Sequence, residues 1–410
     1  MAAAQVSAAR IVVVGAGQAG AWVARSARLA GSAADIVLIG AEPHHPYERP
    51  PLSKKVLLDG AATGIDICPP EEWRRLGIDY RPGVAVVSLD RGSREISTDD
   101  GRRLGYDKLV LATGGRAALA RTPGFDLPAV HTLRCVDDAL RISACLRPGA
   151  RILVVGGGWI GLEVAAAARQ RQAEVTVVES GARLCSRSVP PLVSACLRNL
   201  HASHGVRILL NTSIQRLSAA ERGVVAELSC SGPPERADAV IVGIGLNPNV
   251  ELAIQAGLKV DNGVVVDEYG CTSDPDIYAA GDVTNQPSPW AVGRVRLESW
   301  ANAQNQGIAV GKTLAGAPQP YADIPWFWSD QYGVRLQVLG FPDPNAQLMV
   351  RGETGSHFCA FQLVDHRIQA VIAWNRAREL KLAKRLMADR TPVSAQELAN
   401  EAVSLERLAS

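Results

Sequence analysis

The chain has 410 residues, of which 47% are hydrophobic and 20% are charged, and its net charge is +2. This composition is typical of a globular protein with two or three domains. The small net charge provides no global field that would attract nucleic acid, and no apolar run reaches the roughly 20 residues that span a bilayer. We therefore expect neither a nucleic acid nor a membrane as a partner.

The start of the chain and its cysteines indicate a cellular compartment. Residues 1–10 are rich in alanine but lack the apolar stretch of a signal peptide, so we interpret them as a frayed terminus before the first strand. Scattered thiols without an export signal are typical of reduced, structural cysteines, and we predict a cytoplasmic protein without a metal site. No C-x-x-C spacing occurs among the cysteines, which are Cys68, Cys135, Cys145, Cys185, Cys196, Cys230, Cys271 and Cys359.

The first predicted element is an apolar strand at residues 11–14, followed by the turn G-A-G-Q-A-G and a helix. In this pattern Gly15 permits the tight bend, Gly17 lets the backbone approach a pyrophosphate, and Gly20 lets helix and sheet pack closely. The N-terminus of the helix then faces the phosphates. The sequence therefore predicts a dinucleotide site that includes Gly15, Gly17, Ala19 and Gly20.

The ribose-binding acid of this first unit departs from the usual pattern. Residues 35–39 form the next strand, and the acid that accepts the ribose hydroxyls normally ends that strand. Gly40 occupies this place, so we assign the role to Glu42, two residues further on.

Shorter elements follow. The proline-rich stretch 43–55 breaks regular structure, and residues 84–97 alternate as two strands with a turn near 91–93. Residues 106–114 are predicted to form a buried strand that ends in a glycine turn. Helical periodicity covers residues 136–147.

A second glycine-rich turn, G-G-G-W-I-G, follows the apolar strand at 151–155. Glu179 directly ends the next strand, where a carboxylate accepts both ribose hydroxyls of NAD and repels the 2′-phosphate of NADP, so we predict a preference for NADH. Arg183 and Arg187 weaken this prediction slightly, because arginine can bind a phosphate. The predicted NAD site comprises Gly156, Gly158, Ile160, Gly161, Glu179 and Gly245.

The remaining predicted elements suggest a third domain. Strands are predicted at 206–210, 224–228 and 239–243, and a helix at 298–314. Residues 274–282 are predicted to form a turn, a short buried strand and a glycine turn. After Pro318 an aromatic cluster precedes short strands and a charged helix at 376–388. Two dinucleotide turns in one chain imply electron transfer between two dinucleotides.

The chain carries further motifs beside the glycine turns. These are R-P-P-L-S-K at 49–54, L-A-T-G-G at 111–115, H-T-L-R at 131–134, A-G-D-V-T at 280–284, E-S-W-A-N-A-Q-N-Q-G at 298–307 and W-F-W-S-D-Q at 326–331. Together with G-G-G-W-I-G-L-E at 156–163 they resemble the two-dinucleotide flavoprotein disulfide reductase superfamily. The closer match is to the NADH-dependent ferredoxin reductases of bacterial aromatic-ring dioxygenases and related oxygenases, and it spans nearly the whole chain.

This resemblance implies an α/β fold with two Rossmann-like dinucleotide-binding domains, one of them discontinuous, and a smaller C-terminal α+β domain. We expect an FAD-binding domain at 1–115 and 244–318, with an NAD-binding domain at 116–243 inserted in it. A C-terminal interface domain is expected at 319–410.

The resemblance also assigns residues to the flavin site. It implies that Lys54 lies near flavin N5 and pairs with Glu163, and that both act as electrostatic and positioning residues in catalysis rather than as acid and base. Asp282 is expected to bind the ribityl chain of FAD. Other residues expected to contact FAD are Arg49, Val84, Thr113, Gly114, Arg134, Trp300 and Trp328.

The implied activity joins a two-electron donor to a one-electron acceptor. NADH donates hydride, a 2Fe–2S ferredoxin accepts single electrons, and FAD bridges the two. The expected partners are that ferredoxin and, indirectly, the terminal oxygenase of an aromatic hydrocarbon pathway.

Three alternatives stay open on the sequence. A rubredoxin reductase differs mainly in its acceptor. A peroxide, oxygen or disulfide reductase on the same scaffold needs a redox cysteine beside the flavin, and no cysteine precedes Cys68. A flavoprotein with a signalling or binding role, as in apoptosis-inducing-factor-like proteins, often carries targeting or basic segments that this sequence does not show.

Overall fold

The computed structural model of the chain describes residues 9–408. The interpretation of residues 1–8 as a frayed terminus lies outside the described residues. To residue 117 the elements are β1 (Arg10–Val14), α1 (Gln18–Leu29), β2 (Asp35–Gly40), a 3₁₀ helix (Pro50–Ser53), α2 (Lys55–Asp59), α3 (Pro70–Arg75), β3 (Ile78–Pro82), β4 (Val86–Asp90), β5 (Glu95–Thr98), β6 (Arg103–Gly105), β7 (Lys108–Leu111) and β8 (Gly115–Ala117).

The next elements run to residue 314. They are β9 (Val130–Thr132), α4 (Val136–Cys145), β10 (Arg151–Val155), α5 (Trp159–Gln170), β11 (Glu174–Val178), α6 (Pro191–Ser203), β12 (Arg207–Leu209), β13 (Ile214–Ala219), β14 (Val224–Leu228), β15 (Glu235–Ala237), β16 (Ala239–Val242), β17 (Leu246–Pro248), α7 (Glu251–Gln255), β18 (Val264–Val265), β19 (Ile277–Ala279), β20 (Thr284–Pro287), β21 (Arg294–Val295) and α8 (Trp300–Leu314).

The last elements form one antiparallel sheet with helices after it. They are β22 (Trp326–Gln331), β23 (Val334–Gly340), β24 (Met349–Glu353), β25 (His357–Val364), β26 (Arg367–Trp374), α9 (Ala377–Ala388), α10 (Ala395–Ala399) and α11 (Leu405–Leu408). The motif W-F-W-S-D-Q is itself a strand, and β25 and β26 have eight residues each, so these strands are longer than predicted.

The described chain divides into two compact units. The first contains the described residues to Glu48, together with Gly64–Arg116 and Asn247–Asp323. The second contains Arg49–Thr63, Ala117–Leu246 and the described residues from Ile324. The three-domain division stays a prediction, and two features of the structure differ from it. Residues 49–63 group with the second unit, because α2 packs on α4 and α5, and that unit also holds the C-terminal sheet.

The first unit is built on a parallel sheet in the order β19-β7-β1-β2-β3. Helices α1 and α8 pack against each other, and small residues allow their close approach: a Cβ atom at Gly307 would lie 2.6 Å from the Ala19 carbonyl oxygen. The predicted hairpin is confirmed as β4 and β5. The apolar strands are buried because both faces of the sheet are covered: α1, α3 and α8 pack on one face, and β4, β5, β6 and α7 pack on the other.

The second unit repeats this plan. Its parallel sheet has the order β12-β11-β10-β16-β9, and the turn after β10 leads into α5. The C-terminal antiparallel sheet, in the order β22-β23-β26-β25-β24, packs one face against α5 and α6. The predicted α/β class with Rossmann-like units and a C-terminal α+β part is therefore confirmed. Within residues 9–408 no helix has both the length and the apolar character needed to cross a membrane.

Candidate functional site

The first glycine turn has the backbone that a pyrophosphate cradle needs. Gly15 has φ +107°, and a Cβ atom there would lie 2.3 Å from the Ala112 carbonyl oxygen. A Cβ atom at Gly20 would lie 1.8 Å from the Gly15 carbonyl oxygen, so side chains are excluded at both positions. Gly17 is the N-cap of α1, and among the described residues no side chain caps this helix. The first amides of α1 are thus available to an anion, which fits a dinucleotide phosphate.

Glu42 lies just beyond the end of β2. Its carboxylate accepts a hydrogen bond of 2.5 Å from the Tyr47 hydroxyl. The usual acid position is Gly40, where a Cβ atom would lie 2.7 Å from the Ala16 Cβ, so the turn excludes a side chain there. This crowding explains why a carboxylate can stand only further along the chain. Burial and the charge of Glu42 raise the pKa of Tyr80 to about 12.

Val84 borders a cavity of about 420 Å³ in the same unit. Asp79, Arg81 and Thr98 line this cavity too. Val84 is half-buried and packs on the apolar residues under the sheet. Val84, which was predicted to line the FAD site, therefore borders both a cavity and the hydrophobic core.

The carboxyl ends of β7 and β19 place Thr113, Gly114 and Asp282. The Thr113 hydroxyl donates to the Asn249 carbonyl oxygen at 2.7 Å, and the Asn249 side-chain amide donates to the Thr113 carbonyl oxygen at 2.9 Å. The Thr113 hydroxyl hydrogen is thus already used within the protein. Asp282 follows Gly281, which has φ +85°, in a glycine turn as predicted.

The motif at 298–307 holds this turn from α8. Gln306 is buried, and its side-chain oxygen Oε1 accepts a hydrogen bond from the Gly281 backbone amide at 2.8 Å. Trp300 is the first residue of α8, and its side chain donates to Glu48, whose pKa is raised by burial. The motif therefore contributes one buried and one half-buried polar contact to the first unit.

The second glycine turn repeats the geometry of the first. Gly156 has φ +105°, and a Cβ atom there would lie 2.4 Å from the Gly243 carbonyl oxygen. A Cβ atom at Gly161 would lie 2.1 Å from the Gly156 carbonyl oxygen. Gly158 is the N-cap of α5, and Ile160 in the first turn is 44% exposed.

Glu179 is fixed by two backbone amides. Its Oε2 accepts from the Gly157 amide at 2.7 Å, and its Oε1 accepts from the Gly181 amide at 2.6 Å. Oε1 also accepts from the Ser180 hydroxyl at 3.4 Å, whereas Oε2 keeps a further lone pair for a ribose hydroxyl. This arrangement places a charged acceptor at the end of β11, beside the turn.

The arginines that follow Glu179 differ in their contacts. The Arg183 guanidinium donates to the carbonyl oxygens of Val189 and Ser186 and to the Ser194 hydroxyl, so these bonds already use it inside the protein. Arg187 is exposed and its guanidinium lies near Gly245, which has φ +124°. The structure therefore favours the interpretation of Arg183 as a loop-fixing residue.

Lys54 and Glu163 form an ion pair in the second unit. The Lys54 Nζ lies 2.7 Å from Glu163 Oε2, and the side chains are 21% and 4% exposed. The Ser53 hydroxyl donates to the same oxygen, and the Ser329 hydroxyl donates to Oε1 at 2.6 Å. A buried carboxylate is costly unless it is paired and hydrogen-bonded, and these contacts provide both.

A small cavity adjoins the ion pair. Its volume is about 170 Å³, and Lys54 and Glu163 lie in its wall with Gln170, Asp330 and Tyr332. Glu163 is thus buried, and the pair adjoins this space.

Three predicted FAD residues of the second unit have contacts within that unit. Arg49 donates to the Arg134 carbonyl oxygen, and the Arg134 amide donates to the Asp138 carboxylate at 2.9 Å. Trp328 stacks on Trp326 with ring centroids 4.9 Å apart. Their contacts with a flavin stay a prediction.

The cysteines show no sign of activation. Burial raises the pKa of the thiols whose shifts are resolved, and this opposes the thiolate that a disulfide or peroxide reductase uses. Among the described residues no three His, Cys, Asp or Glu side chains are grouped as a metal site needs. The thiols with raised pKa are Cys68, Cys145, Cys185, Cys196, Cys271 and Cys359.

Two serines that bind Glu163 are absent from the residues predicted from the sequence. Ser53 directly precedes Lys54 in R-P-P-L-S-K, and Ser329 lies in W-F-W-S-D-Q. The alternation of β22 is the signal that would have found Ser329. Phe327 packs on the α5 and α6 side, and a residue two places on points to the same face of a strand.

Comparisons with known proteins cover the whole chain. Residues 9–307 match the family described as pyridine nucleotide-disulphide oxidoreductase, and residues 326–409 match the one described as reductase C-terminal. The ferredoxin–NAD(+) reductase component of the anthranilate 1,2-dioxygenase system of Burkholderia cepacia is 42% identical over 408 residues, which is 98% of this chain and 99% of that protein. Rhodocoxin reductase of Rhodococcus erythropolis is 38% identical over 392 residues, 95% of this chain and 92% of that protein. The solved covalent complex of putidaredoxin reductase with putidaredoxin matches with a TM-score of 0.94 and 36% identity, over 98% of each chain.

Proposed function

The chain belongs to the pyridine nucleotide-disulphide oxidoreductase family, and we propose that it is an FAD-dependent NADH:ferredoxin oxidoreductase that supplies a multicomponent oxygenase. The observation that carries the choice of acceptor is the end-to-end likeness, at 42% identity, to a relative named as a ferredoxin–NAD(+) reductase component. The expected acceptor is a 2Fe–2S ferredoxin.

The first unit supplies the proposed FAD contacts of the glycine turn. Gly15, Gly17 and Gly20 would let the pyrophosphate approach the start of α1, and Glu42 would accept the ribose hydroxyls. Asp282 would bind the ribityl chain. FAD, when bound, takes two electrons together and releases them singly, which is the chemistry that joins NADH to a ferredoxin.

The second unit supplies the proposed NADH site. The carboxylate of Glu179, already aligned by the Gly157 and Gly181 amides, accepts the ribose hydroxyls without first losing orientational freedom. The start of α5 faces the pyrophosphate. The remaining proposed contacts are Gly156, Gly158, Ile160, Gly161 and Gly245.

Lys54 and Glu163 are proposed to act by charge. The Lys54 ammonium provides a fixed cation where negative charge grows on the reduced cofactor, and Glu163 holds that ammonium in place. Neither side chain has to gain or lose a proton for this role. Arg49, Val84, Thr113, Gly114, Arg134, Trp300 and Trp328 are proposed as further FAD contacts.

We also propose that the protein acts in the cytoplasm. In the part of the chain that the structure describes, none of the eight cysteines forms a disulfide, as is usual in a reducing compartment.

Ferredoxin reduction under nitrogen tests the proposed function. Purified FAD-loaded protein is mixed with NADH and a 2Fe–2S ferredoxin, and the visible absorbance of the ferredoxin is followed. We expect about two ferredoxins to be reduced for each NADH, because NADH carries two electrons. A ferredoxin that stays oxidised while rubredoxin, peroxide or oxygen consumes NADH rapidly would replace this proposal by the corresponding alternative.

A further inference from the structure

Polar contacts continue from Glu163 into the core of the second unit. Gln331 donates from Nε2 to the Ser329 hydroxyl at 2.9 Å, and His201 Nε2 lies 2.7 Å from Gln331 Oε1. We call Ser329, Gln331 and His201 the polar row. All three are buried, and His201 is 0% exposed.

The polar row joins three elements that the chain brings together from distant positions. Glu163 lies on α5, His201 on α6, and Ser329 and Gln331 on β22. Ser329 and Gln331 lie two and four residues after Phe327 in the strand. All three therefore point to the face that packs on α5 and α6. Their neighbours on that face are apolar, and residues such as Leu336 and Trp374 fill the rest of this core.

The chemistry of the groups fixes the direction of every hydrogen bond in the row. An ionised carboxylate only accepts, so the Ser329 hydroxyl donates to Glu163. The Ser329 oxygen therefore accepts from Gln331, and only the amide nitrogen of Gln331 can donate. The Gln331 oxygen then faces His201, whose Nε2 must carry a hydrogen. Every donor thus points toward Glu163.

Burying such a row in an apolar core does not by itself stabilise the protein, which suggests that the row serves a function. Each buried polar group costs free energy that its hydrogen bond only repays, and apolar side chains would fill the same space without that cost. A row in which all donors point at one carboxylate disperses the negative charge of that carboxylate and fixes its orientation.

We propose that Ser329, Gln331 and His201 are positioning residues that set the electrostatic potential of the Lys54–Glu163 pair toward the bound FAD. The inference rests on the proposed function, because that function places the pair beside the cofactor. The residues act through Glu163 and do not themselves touch a substrate.

The surroundings of both ends agree with this role. Burial lowers the pKa of His201 to about 4, so the ring is neutral at working pH and its Nδ1 can accept from the Tyr332 hydroxyl, 3.5 Å away. His204, which stacks on Tyr332, and Arg169 are further titratable or charged groups near that end. The charged and titratable groups around Glu163 are Lys54, Asp330 and Tyr332 in the cavity wall and the Cys185 thiol.

The midpoint potential of the bound FAD tests the inference. In Ser329→Ala the Glu163 carboxylate loses one hydrogen-bond donor, so its negative charge is less dispersed. This charge then disfavours the additional negative charge of reduced FAD, and the cofactor becomes harder to reduce. We expect the reduction equilibrium constant to fall up to tenfold, which is about 30 mV for a two-electron couple. Ser329→Thr keeps the hydroxyl and should restore the potential. The matched control is Ser143→Ala, which removes another buried hydroxyl of the same unit, one that donates to the Leu57 carbonyl oxygen.

A second pair of variants tests whether the row acts as a unit. Gln331→Met should lower the potential in the same direction by less, because Gln331 acts through Ser329. Adding Gln331→Met to Ser329→Ala should then change nothing further. Wild-type potentials in Ser329→Ala and Gln331→Met would overturn the proposal, and so would a full additional shift in the double variant.

The protonation of the wild-type His201 ring tests the direction of the row, and a variant is needed only to assign its signal. In ¹⁵N-histidine spectra of the FAD-loaded protein, His201 should show the neutral form with hydrogen on Nε2, and His201→Gln identifies its signal. A ring with hydrogen on Nδ1 alone would overturn the direction of the row.

These outcomes separate the inference from the proposed function. The potential is measured with a chemical reductant and needs neither NADH nor ferredoxin. If NADH does not reduce the wild-type protein, the proposed function fails, whereas the response of the potential to Ser329→Ala still decides the role of the row.

Discussion

At the scale of single residues, Glu179 shows how cofactor preference is built before the cofactor arrives. A free glutamate would lose side-chain freedom on binding a ribose. Here two backbone amides already hold both carboxylate oxygens, and the turn that supplies Gly157 is the same turn that faces the phosphates. The glycine turn therefore contributes to ribose recognition as well as to phosphate binding.

Removing this carboxylate should change the cofactor preference. For Glu179→Ala we expect the ratio of kcat/KM for NADH over NADPH to fall roughly tenfold to a hundredfold, because a hydrogen bond to a charged group contributes about 1.5–3 kcal/mol. Glu174→Ala is the matched control, since Glu174 is an exposed glutamate at the start of the same strand. An unaltered ratio of kcat/KM for NADH over NADPH in Glu179→Ala would show that another residue binds the ribose hydroxyls.

His201 gives the stability of the protein a defined pH dependence. Burial lowers its pKa to about 4, whereas an unfolded histidine titrates near 6.5. Between these values the unfolded chain binds a proton that the folded chain does not. The neutral ring therefore adds about 3 kcal/mol to the free energy of unfolding above pH 6.5. This stabilisation is lost as the pH falls from 6.5 to 4.

Urea unfolding of His201→Gln from pH 4 to neutral checks this. The variant lacks the titrating ring, so the stability difference from wild type should narrow as the pH falls through this window. His357→Gln replaces an exposed histidine and should keep a constant difference. Parallel curves for wild type and His201→Gln would mean that the ring is protonated alike in the folded and unfolded states.

At the scale of elements, the turn between β1 and α1 depends on the absence of a Cβ atom more than on φ alone. Gly15 and Gly31 both have positive φ, at +107° and +93°. A Cβ atom at Gly15 would meet the Ala112 carbonyl oxygen at 2.3 Å, whereas one at Gly31 would have no atom within 4 Å among its described surroundings. Substitution at Gly31 therefore adds only backbone strain, whereas substitution at Gly15 adds a steric clash in the phosphate-binding turn as well.

This contrast leads to a direct comparison of FAD content. Gly15→Ala should yield protein with little bound FAD, because the turn must move away from its phosphate-binding geometry. Gly31→Ala should cost about 1 kcal/mol of stability and keep its FAD. The measurement is the ratio of flavin to protein absorbance after purification, and full occupancy in Gly15→Ala would contradict the assigned cradle.

At the scale of the whole molecule, local patterns were readable from the sequence and distant pairings were not. Both strand–turn–helix units follow from apolar runs and glycines that are close together in the chain, and the structure confirms them. Residues 49–63, which begin within the proline-rich stretch, have no periodicity, so their grouping with the second unit could not be predicted. Glu163 was expected beside Lys54 only through a family resemblance, since the two lie 109 residues apart.

The polar row illustrates the same limit within one motif. W-F-W-S-D-Q was interpreted as an aromatic cluster, but its alternate residues point to one face and bring Ser329 and Gln331 to Glu163 and His201. No spacing in the sequence relates His201 on α6 to a residue 130 positions away, because only tertiary packing brings them together.

Anaerobic stopped-flow tests the central claim that this chain holds FAD where NADH can reduce it. The FAD-loaded protein is mixed with NADH or NADPH while the flavin absorbance is followed. We expect rapid loss of the oxidised flavin band with NADH and a much slower loss with NADPH. Protein that stays colourless after reconstitution with FAD, or a flavin band that NADH leaves unchanged, would contradict it.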